Sequence, residues 1–66
     1  MNRAERRKWI AEVKYQMALK EITGAAISAN TGYSLNWIYM ATGGKTDSPK
    51  LIKAISDYLG IESPVE

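Results

Sequence analysis

Between Leu35 and Met40 lie one amide side chain, two aromatic rings with polar edges and two flexible apolar side chains at the ends, and no charge. Asn36 can donate and accept hydrogen bonds as a pair, and adenine N6 and N7 present the matching pair in the major groove of DNA. Leu35 and Met40 can touch thymine methyl groups. Tyr39 and Trp37 carry a hydroxyl and an indole N–H that can donate to phosphate oxygens. Upstream, Thr23 and Gly24 stand where a helix would begin, and Ser34 stands where a second one would; the free amides of a helix start attract anions. Lys20, Lys45 and Lys50 supply cations on the flanks. This is chemistry for holding a double-stranded DNA partner, with an A·T-rich preference and modest affinity.

Reactive chemistry fails at the level of residue types. The chain has no cysteine and no histidine, which removes disulfides, thiolate nucleophiles, common zinc ligand sets and imidazole acid–base catalysis. The acids Glu5, Glu12, Glu21, Asp47, Asp57, Glu62 and Glu66 form no convincing catalytic pair, and so short a chain has little room for a deep pocket. Gly43-Gly44-Lys45-Thr46 matches the end of a phosphate-binding loop, but Tyr39 stands where the upstream glycine is required and no strand precedes it. No catalytic residue, metal site or cofactor is expected. No apolar run approaches membrane length, and the charged Met1 to Lys8 segment leads into no apolar signal core, so a cytoplasmic chain without membrane contact is expected.

Sixty-six residues, 45% of them apolar, specify one domain over 1–66 with a small core and a stability of roughly 5 kcal/mol. The net charge is only +2, but it is unevenly placed. Residues 1–21 carry an excess of cations, residues 45–66 a slight excess of acids, and Ile22 to Gly44 no charge at all. Arg3, Arg6, Arg7 and Lys8 would sit at a helix N-terminus, against the macrodipole; that mild cost suggests phosphate contact, with a solvated helix end as the alternative.

The elements that must position these residues are four helices. Asn2 with Glu5 can form a capping box for the first, which runs to about Lys20 with Ile10, Val13, Met17 and Leu19 as its apolar stripe and Trp9 on the flank. Thr23 caps a helix over 24–31 that stops at Gly32, and Ser34 caps another that ends at Ala41 or Thr42, before Gly43-Gly44. Lys45 to Asp47 is loop. Ser48-Pro49 starts a helix over 48–60 with Leu51, Ile52, Ile55, Tyr58 and Leu59 as its stripe; Gly60 ends it with Ile61 folded back, and 61–66 is a frayed tail. No alternating run suggests a strand. The fold class is therefore an all-α, compact four-helix domain. Val13, Met17, Ile27, Ile38, Ile52 and Ile55 are its expected core.

The segment over 23–42 has the spacing of a helix-turn-helix. Around Gly32 as turn glycine, Ile27 and Ser28 precede at the apolar and small positions, Tyr33 follows, and Ile38 and Ala41 fall at the inward positions of the next helix. The run from Thr23 to Met40, with Gly43-Gly44-Lys45 after it and Ser48 to Ile61 beyond, resembles the phage-repressor-like (Xre/Cro, lambda-repressor-like) family over about residues 10–62. The resemblance implies a DNA-binding transcription regulator, here of phage or mobile-element type, with the helix over 34–42 as its reading helix. Three positions depart from the family pattern. Gly24 replaces a glutamine that braces phosphate, Met40 replaces a common arginine or lysine, and Ala41 replaces a larger core residue.

A second reading stays open. Leu35, Trp37, Tyr39 and Met40 also form an outward apolar patch of the residue types enriched in protein interfaces, so the helix could bind a partner protein, as an antirepressor or cofactor would. Trp37 could alternatively sit in the core. With no oligomerisation segment after the last helix, a monomer or weak dimer is expected.

Overall fold

Local caps set the four helices. The structure, a computed structural model, describes residues 2–46 and 48–64. It contains α1 (Arg3–Lys20), α2 (Gly24–Thr31), α3 (Leu35–Thr42) and α4 (Pro49–Leu59), and no strand among the described residues. At α1, Asn2 Oδ1 accepts the Glu5 N–H at 2.8 Å, and Glu5 accepts from the Asn2 side-chain amide at 3.0 Å. The return bond of this cap thus goes to a side chain, where a capping box would use the Asn2 backbone N–H. Thr23 accepts the Ala26 N–H and Ser34 the Trp37 N–H, each at 3.2 Å. Ser48, expected to cap α4, makes no side-chain cap bond; Pro49 defines that start by needing no acceptor.

The helix ends turn left-handed. Gly32 has φ 82° and Gly60 φ 71°, and the Ile61 N–H reaches the Ser56 carbonyl at 3.0 Å, closing a Schellman motif. α1 closes in the same way without glycine: Glu21 takes φ 55°, and the Ile22 N–H donates to the Met17 carbonyl at 2.9 Å.

Trp9, Val13, Ile27, Ile38, Ala41, Leu51, Ile52, Ile55 and Leu59 form the buried core. Three expectations for α1 are corrected. Trp9 is interior rather than on the flank, Met17 is only partly buried, and Leu19 is 63% exposed. The reason is angular: Trp9, Val13 and Met17 follow i, i+4 spacing, while Leu19 points about 120° away from Val13 at about 100° per residue. Trp9 could enter the core because its Nε1–H donates to Ser56 Oγ at 2.8 Å, and Ser56 in turn donates to the Ile52 carbonyl at 2.7 Å. A buried indole N–H without that partner would cost about 1–3 kcal/mol.

α2 packs across α3 and α4, and α1 packs on α3 and α4. The turn between α2 and α3 is held by the Ser28 hydroxyl, which donates to the Tyr33 carbonyl at 2.6 Å. After α4 the chain stays against the domain: Ile61, Ser63 and Pro64 are half-buried, where a frayed tail was expected. Asp47 of the expected loop and residues 65–66 of the expected tail lie outside the described residues. Among the described residues no helix is long and apolar enough to cross a membrane.

Candidate functional site

α3 turns Ile38 and Ala41 into the core, where both are buried. At about 100° per residue the remaining arc carries Leu35, Tyr39, Asn36, Met40 and Trp37 in that angular order. Leu35 is 39% exposed, Trp37 47% and Tyr39 56%. Trp37 is therefore a surface residue and not a core one. Asn36 is exposed at the centre of the arc, and Met40 beside it is half-buried. The Asn36 amide makes one weak contact, to Met40 Sδ at 3.8 Å, which leaves its pairing edge available. None of these side chains is charged, so the arc offers only shape and hydrogen bonding to anything that covers it.

One edge of this arc lies on the start of α2. A methyl group on Gly24 would stand 2.8 Å from Tyr39 Cε1 and 3.4 Å from Leu35 Cδ1. Only a glycine lets the ring and the leucine rest there undisturbed. Gly24 is buried as a result, while Thr23 is exposed with its hydroxyl engaged in capping. The start of α2, expected to present free amides to an anion, thus has an aromatic ring against its first residue. Reasoning from sequence missed this contact; the signal was a glycine at the first position of a helix, where nothing in the backbone requires one.

The other end of α3 is tied differently. Gly44 takes φ 78°, and the Lys45 N–H returns to the Met40 carbonyl at 2.8 Å. Lys45 is exposed immediately after this turn, and Lys50 is exposed in the first turn of α4. Lys20 is placed elsewhere: its ammonium donates to the Leu59 carbonyl at 2.8 Å and caps the end of α4, so it does not flank α3. Ser34 is exposed at the α3 start with its hydroxyl accepting the Trp37 N–H.

No group of three or more candidate metal-ligating side chains occurs among the described residues. No protein-family model, curated protein or solved structure matches the chain. Its functional reading therefore comes from its own residues.

Proposed function

We propose that residues 23–42 are a helix-turn-helix in a domain of the phage-repressor-like type, and that the protein is a small, non-enzymatic DNA-binding transcription regulator of phage or mobile-element type. One observation supports this most: α2 and α3 join through a short turn with a left-handed glycine, α3 buries only Ile38 and Ala41, and its outward arc is exposed at Leu35, Asn36, Trp37 and Tyr39, with Met40 half-buried beside them. An α-helix presented this way fits the major groove. In this reading Asn36 pairs with adenine, Leu35 and Met40 meet thymine methyls, and Tyr39 and Trp37 donate to the backbone. Lys45 and Lys50 neutralise phosphates. The preferred site is A·T-rich, no cofactor takes part, and the protein is a monomer or weak dimer away from DNA.

Selection from a random duplex pool at about 50 mM salt tests the proposal, because backbone contacts are strong there. Enrichment of an A·T-rich motif is expected, with log affinity falling by about 4–5 per decade of salt if four to six phosphates are contacted. Failure to enrich any motif and failure to bind duplex at low salt would overturn it.

The exposed Leu35, Trp37 and Tyr39 favour one second reading. The same arc would then dock on a partner protein, with the aromatic residues as anchors and Asn36 at the rim.

A further inference from the structure

α1 opens with cations that its own dipole disfavours. Arg3, Arg6 and Arg7 lie in its first two turns, and Glu5, the acid among them, is engaged by the Asn2 cap. These arginines do more than end a helix. With Asn2 and Ile10 they line a cleft of about 350 Å³ whose remaining wall is Gly44, in the loop that leaves α3. The approach is close, because a methyl group on Gly44 would stand 3.3 Å from Ile10 Cδ1. The fold thus brings three arginines from the chain's beginning into one cleft with the exit of its candidate reading helix. Arg6 is half-buried there, and its Nε is a buried donor with no hydrogen-bond acceptor among the described residues. Nε itself is shielded, so an anion in the cleft would meet the outer amino groups of the arginines, whose guanidinium planes are shaped for paired oxygens.

We infer that the cleft between Arg3, Arg6, Arg7 and Gly44 holds a phosphodiester of the DNA backbone, beside the C-terminal end of α3. The inference rests on the DNA-binding reading and changes where the backbone is gripped. The first residue of α2, Gly24, lies under Tyr39 and Leu35, whereas this cleft is open and cationic, with Lys45 next along the chain from its wall. The planar, always charged arginine side chain takes phosphate oxygens two at a time. Three such groups at one cleft fit a tetrahedral anion better than a flat carboxylate.

The test uses the full chain and a random-sequence duplex of about two helical turns, with affinity measured over a range of salt concentrations. The triple variant Arg3→Gln, Arg7→Gln, Arg6→Gln should flatten the slope of log affinity against log salt by about one unit, the share of one phosphate, and weaken binding at every salt concentration. Arg6→Lys keeps the charge and loses the fork, so it should preserve the slope and weaken binding several-fold. Circular dichroism establishes that each variant is folded. NMR of the wild-type chain gives a readout independent of variants: the Arg6 Nε–H resonance should move on adding duplex. If the wild type binds duplex while the triple variant keeps the full slope and the Arg6 Nε–H resonance stays still, the cleft is not a phosphate site and the DNA reading survives. If the wild type binds no duplex even at low salt, the DNA reading itself falls, and the phosphodiester as occupant falls with it.

Discussion

The two ends of α3 are finished in opposite ways. Near the start of α2, a glycine lets a neutral ring and a leucine settle onto the first residue of a helix, and that residue is buried. At the exit, a glycine lets the chain turn beside α1, and the space left open is lined by arginines. Gly24 makes room for a ring, and Gly44 makes the left-handed turn that brings the chain against Ile10. The difference teaches that an uncharged helix need not mean an uncharged surface around it. Charge can be supplied from a remote part of the chain, while the helix itself keeps only shape and one amide.

The largest effect should come from removing the floor common to both ends. Ile38→Ala should lower stability by about 2–5 kcal/mol, much of what so small a domain has, and chemical denaturation followed by circular dichroism would register it. An unchanged midpoint would mean that α3 is not anchored through Ile38.

Next come the residues on the arc. Under the proposed DNA reading, Asn36→Ala should cost about 1–3 kcal/mol on the selected DNA site and relax specificity at one base pair. Met40→Ala should cost about 1 kcal/mol there, the worth of an apolar contact. Under the protein-partner reading the order inverts, and Tyr39→Ala or Met40→Ala should cost about 2 kcal/mol or more while Asn36→Ala is nearly silent. Affinity measurements on both kinds of partner decide between the orders.

A smaller change is expected at the cationic end, where Lys45→Ala should flatten the salt dependence by about one unit without altering the preferred sequence. Altered sequence preference would place Lys45 against a base and break the division between a neutral reading arc and a charged exit.

The smallest effect concerns the covered end. Gly24→Ala should be nearly neutral in the wild type, because the gain in helix propensity is offset when the Tyr39 ring is displaced. In a Tyr39→Ala background the same change should stabilise by up to about 1 kcal/mol. Equal effects in both backgrounds, measured by thermal unfolding, would show that the ring does not depend on the glycine.

What the sequence makes legible here is what neighbours in the chain decide. Thr23, Ser34, Gly32 and Gly60 cap or end helices through bonds spanning a few residues, and their types announce it. The inward positions of α3 follow from counting six and nine residues beyond the turn glycine Gly32. Trp9 was misplaced because its partner Ser56 lies 47 residues away, and nothing near the indole foretells that hydroxyl. The end of α1 at Glu21 is hidden for the opposite reason, since a glutamate does not advertise a left-handed turn. The outward arc of the candidate site was readable from spacing. Its surroundings were not: the Tyr39 contact with Gly24, the use of Lys20 to cap α4 and the meeting of Arg6 with the Gly44 loop are all products of tertiary packing.

The chain contains two tryptophans, and the fold has placed them in contrasting surroundings. Trp9 is sealed in the core with its N–H satisfied, while Trp37 stands 47% exposed on α3. Each indole is therefore a built-in optical probe with a separate subject. Light emitted from Trp9 is shielded from water and dissolved quenchers until the domain opens, so it reports folding. Emission from Trp37 is open to quenchers in the free protein and becomes protected only when something covers α3. A Trp9→Phe variant would leave Trp37, on the candidate surface, as the sole tryptophan, so that excitation selective for indole follows occupancy of that surface without any attached label.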